Sequence, residues 1–328
     1  RDLHLSLRRQ RQMCIRDSGY HRTDARGGNF TTALRWKRML KTLGHRVRID
    51  GAYTGQKIDV LIALHAQKSA RWISQCAKHS PQVAIVVALT GTDIYGDLRG
   101  CAVGEHSLDL ATAIVVLQGL AEKELAARYR NKTHVIHQSC EPPLKANKAS
   151  GVFEVCVCGH MRDVKDPMRT AMAIRRLPKA SRIRVKHIGG IIESKYRERV
   201  EREQKQNNRY EWLGELSPKM THREIAKSHL LVVSSRSEGG ANVVSEAIVA
   251  GTPVVSTRIP GSIGLLGENY QGYFTTANTK ELRELLLRSE VEAAFYRKLR
   301  DACEAQRPLF APERERAALK ELIQSLMG

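Results

Sequence analysis

The stretch Ser234–Thr257 reads SSRSEGGANVVSEAIVAGTPVVST. An apolar run, LLVV (230–233), leads into it, and PVV (253–255) closes it. Between them stand Glu238, the pair Gly239-Gly240, and Glu246, with seven residues separating the two acids. A buried strand, a glycine turn, a helix and a second strand form the repeating unit of a parallel α/β sheet. Glycine lets the backbone approach a ligand without a Cβ clash. The N–H groups that open a helix near Asn242 favour negative charge. Glu246 lies one turn beyond Asn242 on the same helix face. Its two oxygens suit the two hydroxyls of a diol. Glu238, in the turn, reaches hydroxyls of a second ring. Acids for a sugar and a ribose, with Gly239, Gly240, Ala241 and Asn242 offering amides to phosphates, predict a nucleotide-sugar site. An ordinary capping loop with a surface acid is the bland alternative.

The same alternation extends in both directions. Before the stretch come the strands VRI (47–49), DVLIAL (59–64), AIVVAL (84–89), AIVVL (113–117) and HVIH (134–137). Helical patterns at 68–79 and 119–129 separate them. CEPPLKANKASG (140–151) reads as an interdomain linker. The pattern restarts with FEVCVCG and IRVKHIGG and runs to helices ending near Gln306. Two Rossmann-like domains follow, 19–148 on the acceptor side and 149–310 on the nucleotide-sugar side, with a cleft between them. The segment 311–328 has a helical apolar stripe and is expected to cross back onto the first domain.

Residues 1–18 are expected to be disordered and not native. MCIRDS (13–18) equals the translation of a common transposase library adapter. Removing residues 1–18 lowers the formal charge from +20 to +17. A Rossmann unit should open with a strand before Arg26-Gly27-Gly28, and residues 19–25 are polar, so the first strand is expected to be missing. On that basis the chain is expected to be poorly soluble.

Composition narrows the function. The chain has 328 residues and is 42% hydrophobic, enough for two cores. No apolar run reaches the roughly 18 residues of a membrane span, and no secretory signal is visible. Seven cysteines without a four-ligand spacing indicate thiols in a reducing cytoplasm; Cys156 and Cys158 share a strand face. The charge of +20 is spread along the whole chain, which disfavours nucleic-acid binding as the main function and favours anionic small molecules.

Two further constellations carry chemistry. CGHMRDVKDP (158–167) follows the first strand of the second domain, where α/β sheets bind ligands. Its His160, Arg162 and Lys165 suit a diphosphate leaving group. In the first domain, Gly28, Asn29, Thr31 and Arg35 open a helix; His65 ends one strand, and Thr90, Gly91, Thr92 and Asp93 end the next. These, with Arg22, Arg26 and Arg236, form the candidate acceptor site. His65 reads as a base, an anion ligand or a buried histidine.

Glu238…Glu246, AGTPVV (250–255) and RIPG (258–261) together resemble the GT-B glycosyltransferases that use nucleotide sugars and retain configuration. The resemblance implies donor-sugar contact at Glu238, ribose contact at Glu246 and diphosphate contact at Lys165. His160 stands where that family carries arginine, and Arg162 lies two residues later, which leaves their roles open. A narrower resemblance, to the selenosugar synthases of selenoneine biosynthesis, rests on GNFTTALRWKRMLKTLGHRVRI (28–49), VALTGTDIY (87–95), GHMRDVKDP (159–167) and PLFAPERERA (308–317), among other stretches. It implies a UDP-sugar donor, UDP-N-acetylglucosamine or UDP-glucose, and selenophosphate as acceptor, with no metal and no cofactor. Catalytic roles then fall to Glu238, Lys165, Arg162 and His65. A transferase for hydroxyl acceptors, and a polyanion binder without transferase activity, are the competing expectations.

Overall fold

Runs such as VLIAL (60–64) and LLVV (230–233) leave no polar face, so such strands need cover on both sides. The computed structural model, which describes residues 11–16, 27–51, 55, 57–96, 98, 100–143 and 146–326, supplies that cover twice. The chain divides into two units: Arg1–Ile136 with Glu315–Gly328, and His137–Arg314.

In the first unit the elements are β1 (Gln12–Arg16), α1 (Gly28–Thr42), β2 (Arg46–Asp50), β3 (Val60–Leu64), α2 (Ala70–His79), β4 (Ala84–Leu89), α3 (Ala102–Asp109), β5 (Ala113–Val116), α4 (Gly119–Glu124), α5 (Ala127–Arg130) and β6 (Thr133–Val135). The sheet is parallel in the order β2-β1-β3-β4-β5-β6. The direction of winding reverses between β1 and β3, which defines a switch point at their carboxyl ends.

Strand β1 corrects the expectation of a missing first strand and of disorder throughout 1–18. Gln12–Arg16 pairs with β2 on one side and β3 on the other. Met13 and Ile15 enter the core cluster of Trp36 and Leu40, while Cys14 enters that of Leu61 and Ile85. A central strand needs apolar groups on both faces, and Met-Cys-Ile provides them in three residues. A search confined to the polar residues beside the glycine loop misses it. Residues 1–10 and 17–26, with Arg22 and Arg26, lie outside the described residues.

The last helix with these residues is α13 (Pro312–Ser325). Its Leu319, Leu322 and Ile323 are buried in the cluster of Met13, Ile15 and Trp36. Glu315, buried, accepts from Trp36 Nε1 at 2.7 Å and from Arg35 Nε at 2.9 Å. Arg35, an expected acceptor residue, is therefore taken by an internal ion pair.

The second unit runs β7 (Phe153–Cys158), α6 (Arg169–Ile174), β8 (Ile183–Ile188), α7 (Arg197–Gln206), β9 (Tyr210–Gly214), α8 (Pro218–Lys227), β10 (Leu230–Val233), α9 (Asn242–Val249), β11 (Val254–Thr257), α10 (Pro260–Leu266), β12 (Tyr273–Phe274), α11 (Thr279–Val291) and α12 (Ala293–Gln306). Its parallel order is β12-β11-β10-β7-β8-β9, with the reversal between β7 and β10. The segment expected to be an interdomain linker packs on this unit. Cys140 N donates to Phe310 O at 3.2 Å, and Lys148 Nζ donates to Ser228 O. Burial lowers the Lys148 pKa to about 8. The boundary thus lies at Ile136, earlier than the 148 that the prolines suggest. All seven cysteines are free thiols, and the Cys156 and Cys158 sulfurs lie 3.3 Å apart on β7.

Among the described residues, no helix is long and apolar enough to cross a membrane. The Glu315 contacts generate a stability prediction. Glu315→Ala leaves Arg35 and the indole of Trp36 without their shared acceptor, and the expected loss is about 3 kcal/mol. Urea unfolding measures it; a loss within experimental error would reject the structural role of the pair.

Candidate functional site

The loop after β7 and the loop after β10 emerge side by side, because these strands are neighbours at the reversal of the second sheet. Their backbones are tied together. Ser234 Oγ is within donating distance of Lys165 O (3.1 Å) and Asp166 O (3.0 Å), and Arg236 N donates to Val164 O at 2.8 Å. Asp166 takes a left-handed conformation, φ 43°, which turns the chain toward α6. Its carboxylate accepts from Arg169 Nε at 2.8 Å.

This clamp brings Lys165 Nζ onto Glu238 Oε1 as an ion pair. Both side chains are mostly buried, at 19% and 12% exposed. They line a pocket with Cys158, Gly159, Pro167 and Ser235. The sequence reading puts both residues in the loops that follow these strands; their direct pairing is new.

Residues from other elements hold the turn. Thr257 Oγ1, at the end of β11, donates to Ser235 O at 2.6 Å. A Cβ on Gly261 would stand 1.9 Å from Glu238 O, so only glycine admits this approach of α10. A Cβ on Gly189 would stand 2.1 Å from Gly159 O. His187, buried on β8, lies with Nε2 3.0 Å from that same Gly159 carbonyl and Nδ1 2.9 Å from Tyr210 OH. Burial lowers its pKa to about 4, so it is a neutral strut there. Sequence reading misses His187, since an alternating strand histidine carries no separate signal.

The remaining donor candidates divide. His160 Nδ1 accepts from Gly190 N at 3.0 Å, tying the loop after β7 to the loop after β8. Arg162 Nε is buried without a hydrogen-bond partner. Gly239, Gly240 and Ala241 are buried in the turn, and Asn242 begins α9 with no side chain capping its start at Ala241. Glu246, mid-helix, pairs with His222 Nε2 of α8 at 3.2 Å. That imidazole is absent from the sequence expectation because it lies on a separate helix.

In the first unit, the candidate residues gather at the carboxyl ends of β1, β3 and β4. Thr90 Oγ1 donates to Asn29 Oδ1 at 2.8 Å. Gly28 opens α1, and Thr31 N donates to Gly27 O at 3.2 Å. His65 is buried with φ 82°, a strained value for a non-glycine residue, and its Nδ1 faces Asp93 Oδ2 at 3.6 Å. Asp93 accepts from Ala66 N and Gly91 N, both at 3.1 Å. Burial raises its pKa. Asp93 is thus buried, and its carboxylate anchors the loop. The side chain of Thr92 lies outside the described residues, and Arg236 is exposed. Among the described residues, no group of three or more His, Cys, Asp and Glu could hold a metal ion.

Residues 143–304 match the family model described as Glycosyl transferases group 1. The Glycosyltransferase 1 domain-containing protein 1 of Xenopus tropicalis is 25% identical over 270 residues, covering 74% of this chain and 78% of that protein. Anabaena HepE, in its complex with UDP, superposes with a TM-score of 0.76 at 15% identity, covering 96% of this chain and 100% of that one. Sucrose-phosphate synthase from Thermosynechococcus elongatus gives 0.77 at 14% identity, covering 97% and 99%. The chain has the GT-B fold, two Rossmann-like α/β units, and its residues 143–304 are similar to the glycosyl transferases group 1 family.

Proposed function

We propose that the chain is a glycosyltransferase that moves a sugar from a UDP-sugar, UDP-N-acetylglucosamine or UDP-glucose, to selenophosphate. The observation that carries the transferase reading is the Lys165–Glu238 pair, held at the switch point between β7 and β10. A cation and an acid there match the two ends of a sugar diphosphate. Lys165 neutralises the departing diphosphate, Glu238 accepts from sugar hydroxyls, and Glu246 accepts from the ribose diol. Gly239 to Asn242 supply amides to the phosphates. Arg162, with its buried Nε, adds positive charge to the same loop. The match to group 1 glycosyl transferases supports this reading, as do the UDP and UDP-and-glucose complexes of HepE.

The acceptor assignment rests on the resemblance to selenosugar synthases. Selenophosphate arrives with its selenium already anionic. A selenium lone pair forms the bond to the anomeric carbon as the carbon–oxygen bond to UDP breaks, and that electron pair leaves on the diphosphate. No proton is transferred in this step, so it requires no base. A hydroxyl acceptor does require one, and the approach of His65 to Asp93 favours that as the second reading.

One assay separates these readings: UDP release with selenophosphate, with a hydroxyl sugar, or with neither, and mass spectrometry of the product. Selenium in a glycosyl product supports the proposal. UDP release only with hydroxyl acceptors would leave the transferase and remove the selenium chemistry. Absence of UDP release under every condition would remove both.

Two substitutions test the donor site. Lys165→Ala should lower kcat more than it raises the donor KM, because the diphosphate gains charge as the bond breaks. An unchanged kcat would rule out that role. Glu246→Gln should weaken UDP binding about ten- to a hundredfold, the cost of a charged hydrogen bond. Calorimetry on the folded variant decides; wild-type affinity would reject ribose contact.

A further inference from the structure

We propose that His222 is the positioning residue of Glu246, and that it sets how strongly the site prefers a ribonucleotide over its 2′-deoxy counterpart. The inference rests on the donor reading above, in which Glu246 accepts from the ribose diol.

His222 stands in the first turns of α8, whose start is capped by the Ser217 side chain accepting from Met220 N. Its Nε2 lies 3.2 Å from Glu246 Oε1 on α9. The side chains are 30% and 16% exposed, so water only partly screens the contact. Glu246 raises the His222 pKa, which favours the charged imidazolium. Of the other cations on these elements, Lys219 and Arg223 of α8 are exposed, and two lysines are held by a different acid. Lys186 of β8 and Lys227 of α8 pair with Glu224, at 3.2 and 3.3 Å. Among the described residues, the ion pair of Glu246 is with His222.

This pairing prepares the carboxylate. A free glutamate samples several rotamers and must be ordered when the diol binds. An imidazolium on Oε1 fixes the carboxylate plane beforehand, which removes that cost from binding. A carboxylate has roughly four lone-pair sites, so one donor on Oε1 leaves capacity for two hydroxyls. The positive ring also offsets the repulsion between Glu246 and a nearby diphosphate.

The test compares UDP with 2′-deoxy-UDP by calorimetry in the full chain. The two ligands share base and diphosphate, so their ratio isolates the ribose contact. Wild type should prefer UDP. His222→Ala should shrink that preference roughly fivefold, with 2′-deoxy-UDP affinity held within about twofold, since only the oriented charged hydrogen bond is weakened. His222→Gln keeps an N–H donor and should restore most of the preference. Melting curves check that both variants fold. A preference unchanged in His222→Ala, or equal weakening of both ligands, would show that the pair merely pins α8 to α9 and would overturn the proposal. Should Glu246→Gln abolish the preference while His222→Ala keeps it, the donor reading stands and the positioning role falls. A wild type that binds both ligands equally, or neither, overturns ribose contact at Glu246 and this inference with it.

Discussion

The hydroxyl of Ser234 is the point on which the candidate donor site depends. One side chain at the end of β10 meets two carbonyls of the loop after β7. Without it, the strand ends would still be adjacent, but the loops would be free to separate. With it, and with the backbone bond from Arg236 to Val164, Lys165 and Glu238 are brought within ion-pairing reach. Helix α10 and strand β11 then close on the turn through Gly261 and Thr257. The glycine and the hydroxyls act together: they let backbone touch backbone where side chains would hold the layers apart.

Much of this was legible from residue order. Strand ends, the glycine turn and the acids Glu238 and Glu246 follow from local pattern, because burial on both faces and the need for glycine act within a few residues. What the sequence does not carry is set by distant partners. Arg35 reads there as an acceptor-site cation; α13, bringing Glu315, gives it an internal partner. Asp93 turns from ligand contact to loop anchor because Ala66 and Gly91 direct their N–H groups at it. His187 and His222 act from neighbouring elements and carry no motif. Helix 119–129 was expected as one piece, yet it divides into α4 and α5, with extended backbone at Leu125. Strand β12 is two residues long and α10 is rich in glycine, so neither has a period to detect.

The strong positive charge has a related consequence for the acids. Carboxylates are outnumbered, and several are spent inside the units. Glu315 serves Arg35, Glu203 serves Arg175, and Glu224 serves Lys186 and Lys227. Each of these three acids is matched by a cation, as the cost of desolvating it requires. The surface that remains is correspondingly basic, which suits anionic substrates as a class without selecting one.

The first unit draws its core from both extremes of the described chain. Met13 and Ile15 of β1 meet Leu319, Leu322 and Ile323 of α13 in one cluster. The second unit, by contrast, is a continuous stretch, His137–Arg314, inserted between them. During synthesis every residue of the inserted unit is joined before Leu319, Leu322 and Ile323 are added. Until then the first unit lacks part of the apolar cover of its core. The connectivity therefore makes the core of the first unit wait on a helix that follows the whole of the second, so any break in the inserted unit also deprives the first of its cover.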